Sequence, residues 1–224
     1  MTTRPSWEPD GTRRGRTGWL TLGRGSLVAL VVLVAAMVAS TTYRSQSAPP
    51  ADQAEKFDPA QYGVETYAPK VVPAIRKKAV SITTLYKALV ADGDAAGKRY
   101  GHRPGTGPYS YAVTLTGTAG APRSGLMPVT VPGVDKARIS VQTGPAINGT
   151  SLRDAVGFIS FGQFTNQVDY ADAGTALNNQ VKAKVLAHLD VASLKGTKIT
   201  VVGAVTPLTN DVLTITPISI KPAS

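Results

Sequence analysis

Nineteen consecutive residues without a charge, Gly25 to Tyr43, lie between Arg24 and Arg44 and contain the run LVALVVLVAAMVA. As a helix they rise about 28 Å, close to the roughly 30 Å hydrocarbon core of a bilayer. A globular fold has no use for such a run behind a basic arm, so it reads as a membrane span, with Gly25, Leu30, Leu33, Met37 and Tyr43 along its length. Arg4, Arg13, Arg14, Arg16 and Arg24 precede it and only Arg44 follows closely. The positive-inside bias therefore keeps the N-terminus cytoplasmic and places everything after Tyr43 on the far side. Small residues at Ala39 and Ser40 would also suit cleavage of a leader. The length of the run, with Trp19 and Tyr43 at interfacial positions, favours a retained signal-anchor.

The 224-residue chain is 17% charged and 42% hydrophobic, which excludes a disordered polyelectrolyte. It has no cysteine, so disulfides, thiolate metal sites, a cysteine nucleophile and cysteine-linked lipid are all excluded. With two histidines in all, no metal centre and no cofactor are expected. The net charge of +10 looks like a nucleic-acid signature until it is located. From residue 45 onward 18 Lys/Arg face 12 Asp/Glu, a moderate +6 dispersed over helices, and nucleic acid is not expected as a partner.

The chain divides into a basic cytoplasmic arm (1–24), the span (25–43), a polar linker with two prolines (44–57), a helical arm (58–100) and a β-rich domain (101–224). Asp58-Pro59 marks a helix start. Val71, Ile75, Ala79, Ile82, Leu85 and Leu89 recur at spacings that predict one helix from about Lys70 to Ala91, ended by Asp92-Gly93. After GHRPGTGP the period changes to two. Strands are expected over 109–115, 124–131, 137–141, 198–205 and 212–220, with a helix over about 170–189, and Pro217 marks an edge or a bulge. Strand, strand, strand, helix, strand, strand is the order of an OB-fold: a mainly β, α+β five-stranded barrel with its helix between strands three and four. An α+β sandwich is the alternative.

The segment QTGPAINGTSLRDAVGFISFGQFTNQVDYADAGTALN, from Gln142 to Asn178, carries a family resemblance, supported by FDPAQY at Phe57 and Leu194-Lys195-Gly196. Over roughly residues 57–220 the chain resembles predicted periplasmic lipoproteins encoded near bacterial sugar ABC-transporter genes. The resemblance implies an exported, membrane-associated, OB-like domain and a link to solute uptake, and brings no established reaction or ligand. The lack of cysteine departs from the lipoprotein pattern and leaves anchoring to the apolar span.

Phe158, Phe161 and Phe164 fall within seven residues and stand among Arg153, Asp154, Asn166, Gln167, Asp169 and Tyr170. One reading is a core, with phenylalanines filling the barrel end, Arg153 paired to a carboxylate and Asn166 satisfying a turn. The other is a polar pocket in which Arg153, Asp154, Asn166, Gln167 and Asn178 meet a small sugar-like ligand; a protein-docking face is the third. Catalytic residues are not identified. His188 with Asp190 lacks an obvious serine, His102 sits in what reads as an exposed loop, and no GxxxxGK[ST] phosphate loop is present. The expectation is a non-enzymatic accessory protein in contact with the lipid bilayer, assisting ABC-transporter components, or alternatively a small-ligand binding module.

Overall fold

The computed structural model describes residues 30–38 and 56–223. Residues 30–38 form a helix (α1) whose side chains are all exposed. Among the described residues no helix is long and apolar enough to cross a membrane. Gly25 and Tyr43, with the arm 1–24 and linker residues 44–55, lie outside the described residues, so the proposed span is described only at its centre.

The remainder belongs to one compact unit, Lys56–Ser224. Its frame is five strands: β3 (Ser110–Ala119), β4 (Leu126–Thr130), β5 (Arg138–Gln142), β6 (Lys198–Val205) and β7 (Val212–Pro222). They pair in the order β3-β4-β5-β7-β6, and β6 pairs back onto β3 to close a barrel. Only the β5–β7 pairing within this ring is parallel, with Val141 opposite Ile215. The period-two pattern builds it. Tyr111, Val113, Leu115, Met127, Ile139, Val141, Ile199, Val201, Leu213 and Ile215 join one buried cluster, as expected of alternate positions on a closed sheet. Closure leaves no room for the sandwich alternative. Proline 217 sits at a bulge: Val202 pairs with Ser219 and Gly203 with Pro217, so Ile218 is the extra residue.

Parts of the barrel wall are buried on both faces. Ala112 of β3 and Ala204 of β6 point outward into a second cluster with Tyr67, Val71, Ile75, Leu152, Ile159, Leu177 and Val181. Those residues come from elements wrapped on the wall: a π turn (Tyr67–Val71) that follows α2 (Pro59–Thr66), α3 (Val72–Lys78), and, between β5 and β6, α6 (Ser151–Val156), the loop at Ile159 and α7 (Gln167–Val181). The helix expected over about 170–189 is α7, continued by a π turn (Lys182–Leu186), and α6 is a further helix before it, ended at Gly157 by a left-handed φ of 80°.

The single helix expected over Lys70–Ala91 does not form. Ala79 is extended, and Val80–Ser81 (β1) pairs in parallel with Val113 and Thr114 of β3 before α4 (Ile82–Ala91) begins. The helical spacing ran through this break because both halves are amphipathic, yet they face different cores. Ile75 joins the wall cluster, whereas Ile82, Leu85 and Leu89 join the barrel core. Asp92 ends α4 as expected and also starts α5 (Gly93–Tyr100), its carboxylate accepting from the amides of Asp94 and Ala95. A two-residue strand, β2 (Gly101–His102), then pairs with β3.

Candidate functional site

A cleft of about 510 Å³ opens on the outer side of β5 and β7. Ser124, Gly125 and Leu126 from the end of the β3–β4 loop, Thr206 and Leu208 from the β6–β7 loop, and the segment from Ala146 to Ser151 line it. Leu213 and Ile215 turn into the barrel, which leaves Thr214 and Thr216 on the cleft side. No lining side chain is charged or aromatic.

The walls are fixed by amide groups. The Gln142 side chain donates to the Thr216 hydroxyl at 2.8 Å and to the Asn148 carbonyl at 2.9 Å, and accepts from the Asn148 amide at 2.8 Å. The Ser151 hydroxyl donates to Thr216 as well, at 3.0 Å. Gln142, Ser151 and Thr216 are all buried, so this network is satisfied inside the protein rather than by water. From behind, the Asn178 amide donates to the Gly149 carbonyl at 2.8 Å. The segment that follows β5 is held against β4: Thr143 donates its backbone amide to the Gly125 carbonyl at 2.8 Å. Gly125 has a φ of 77°, and a Cβ there would stand 2.5 Å from the Gly144 carbonyl, so the close approach of these two chains requires glycine. Opposite, Thr206 is tied to Ser110 through paired hydroxyls at 2.6 Å. The result is a preformed, neutral, hydroxyl- and amide-lined cleft, within the roughly 300–1,000 Å³ range of small-molecule sites. Strongly ionic ligands find no counter-charge among these lining groups.

The five residues expected from sequence to bind a ligand do not converge on one site. Arg153 and Asp154 form a buried ion pair, Nε to Oδ1 at 2.8 Å, with both side chains 8% exposed. The guanidinium also donates to the Tyr170 carbonyl at 2.9 Å and lies 3.6 Å from the centre of the Tyr170 ring. The second Asp154 oxygen accepts from Thr150, itself a lining residue, at 2.6 Å. The pair therefore buttresses the cleft without opening into it. Asn178 clamps the loop from behind, as above. Asn166 is the N-cap of α7, accepting from the Asp169 amide at 2.9 Å, and Gln167 is exposed in the first turn.

The phenylalanines do not fill the barrel. Phe158 and Phe161 are 40% and 48% exposed, and Phe164 lies among Phe57, Tyr62 and Tyr170 outside it. Nor is His102 in an exposed loop. It is half-buried in β2, its Nδ1 2.7 Å from the Asp154 carbonyl oxygen. His188 is exposed, and the Asp190 carboxylate accepts from the amides of Ala192 and Ser193.

Gln142 and the stretch Asn148-Gly149-Thr150 lie in the segment that carries the family resemblance. Thr214 and Thr216 were visible as the polar half of an alternating strand. What pattern could not supply was their convergence, which depends on β7 lying beside β5.

Comparison with known proteins agrees with this fold. The family described as predicted periplasmic lipoprotein (DUF2291) matches residues 27–221. A crystal structure of an OB-fold protein from Thermotoga maritima MSB8 is similar at 17% identity with a TM-score of 0.63, covering 75% of this chain and 99% of that one. At that identity the likeness concerns the fold. No curated protein matches the chain.

Proposed function

This chain belongs to the family of predicted periplasmic lipoproteins, and from that premise we propose that it is a non-enzymatic, extracytoplasmic binding module held at the membrane by its apolar segment. The ligand is a small, neutral, polyhydroxylated molecule of the sugar class, taken into the cleft between the β3–β4 and β6–β7 loops. The cleft's composition carries this reading: Asn148, Thr206 and Thr214 line it with amide and hydroxyl groups, Gln142, Ser151 and Thr216 brace its wall, and no lining side chain is charged. Hydroxyls and amides suit ligand hydroxyls, which are likewise both donor and acceptor. In OB barrels the face of the second and third strands, with the loops joining strands one to two and four to five, is where oligosaccharides and oligonucleotides bind. The cleft lies against that region, although fold alone does not assign function.

The role is accessory: the domain presents such a solute to an uptake system, with ABC-transporter components as the partner class. Because the chain has no cysteine, cysteine-linked lipid cannot anchor it, and residues 25–43 take that part.

Thermal-shift measurements against neutral sugars and polyols, with sugar phosphates as the charged comparison, test the reading. A rise in Tm with a neutral sugar, lost in Gln142→Ala, is expected. Equal stabilisation by sugar phosphates, or no shift across the whole neutral panel, would overturn it.

A further inference from the structure

A second surface shares no lining residue with the cleft. Phe57, at the start of the compact unit, packs its ring 5.3 Å from Tyr62 and 5.4 Å from Phe164, and Phe164 lies 5.4 Å from Tyr170. Beside this aromatic base stand apolar side chains that the domain leaves partly exposed. Phe161 touches Tyr170 edge-on at 5.8 Å yet is 48% exposed, and Phe158 is 40% exposed. On the first turn of α7, Val168 is 67% exposed. Lys70 lines one hollow of about 280 Å³ with Phe57, Phe158 and Phe164. Lys78 donates to the Val156 carbonyl at 2.6 Å, two residues before Phe158. Among nearby acids, Asp58 is engaged as the α2 cap, Glu65 by Gln61 and Asp169 by Asn166.

We propose that this face seats the domain on the outer surface of the bilayer, with Phe158, Phe161 and Val168 entering the headgroup layer and Lys70 and Lys78 meeting anionic phosphates. Aromatic and aliphatic side chains beside lysines are the composition that interfacial seating requires, and each basic group near an anionic surface adds to it. Chain length points to the same occupant. Thirteen residues, 44–56, separate Tyr43 from Phe57. Even fully extended they reach no more than about 45 Å, and the compact unit takes up the chain beside Phe57, within this face. The inference rests on the anchoring part of the proposed function and is independent of the cleft.

The test uses the full chain reconstituted in vesicles of phosphatidylcholine, with or without phosphatidylglycerol. Trp7 and Trp19 are replaced by phenylalanine, so that Phe161→Trp, or in a second variant Val168→Trp, is the sole reporter. Blue-shifted emission that acyl-brominated lipids quench, more strongly with phosphatidylglycerol and less in Lys70→Gln/Lys78→Gln, is the expected result. Water-like emission that brominated lipids leave unchanged in both variants would overturn the seating. So would blue-shifted but unquenched emission, which means cover by protein. A protease added outside the vesicles separates the two failures. A domain that is degraded yet unquenched is anchored and not seated, whereas a domain missing from the outer face defeats the anchoring itself.

Discussion

Replacing Asp154 by leucine strands the Arg153 guanidinium in the wall between α6 and α7. The two side chains are each 8% exposed, and the pair is closed at 2.8 Å. Removing one partner of a buried pair costs about 3–5 kcal/mol because the other charge loses its compensation. Arg153 keeps its bond to the Tyr170 carbonyl and its place over the Tyr170 ring, and the ring contact retains about 0.5–2 kcal/mol. The expected loss for Asp154→Leu is therefore near the lower bound, about 3 kcal/mol. That is a large part of the roughly 5–15 kcal/mol that holds a domain folded. The double variant Arg153→Met/Asp154→Leu removes both charges and is expected within about 1–2 kcal/mol of the parent. Urea unfolding followed by circular dichroism of the parent, Asp154→Leu, Arg153→Met and the double variant gives the four midpoints, with unchanged m-values required. If the double variant costs the sum of the two single ones, the groups are not coupled and the structural role assigned to them fails.

The phenol of Tyr67 is buried without a hydrogen-bond partner, and burial pushes its pKa up to about 12. Tyr67→Phe should raise stability at neutral pH by about 1 kcal/mol or more, since an unsatisfied buried hydroxyl is removed; a lower urea midpoint would contradict this. In the parent, the unfolded phenol ionises near the ordinary pH of about 10 while the folded one stays neutral. Stability present below that pH should thus be lost as pH rises toward 12, and Tyr67→Phe should flatten that decline in alkaline urea titrations. Leu85 is fully buried in the barrel core, so Leu85→Ala should cost about 2–5 kcal/mol; a loss confined to local fraying of α4 by hydrogen exchange would show that the helical arm does not share that core. At the bulge, a Cβ on Gly203 would run into the Thr216 carbonyl and stand 2.8 Å from Ile215 Cγ2. Gly203→Ala should lower stability by about 1–3 kcal/mol, and an unchanged Tm would mean that β6 and β7 pair in another register.

The barrel was legible because its strands carry their own signal. Lys198–Val205 coincides with expectation, and Asp58-Pro59 starts α2 where the capping pair sits. The break at Val80–Ser81 was not legible, since β1 exists only through its pairing with β3, and the apolar spacing from Val71 to Leu89 continues across it. Around α6 and α7 the core reading of Arg153 and Asn166 matches the structure, whereas the cleft lies elsewhere. Arg153 did find a carboxylate and Asn166 did satisfy a helix start, but hydroxyls on β7 and an amide at the end of β5 form the cleft instead. Short polar side chains such as Thr214 and Ser151 give little signal in sequence, because their role comes from which strands the topology makes neighbours.

Amide chemical shifts report directly on occupancy of the cleft. A ¹⁵N-labelled domain beginning at Lys56 would be titrated with a neutral sugar that raises its Tm. Saturable shifts concentrated at 124–126, 142–151 and 206–216 are predicted. Shifts centred on the hollow around Phe57, Lys70 and Phe164, or scattered without saturation, would contradict it.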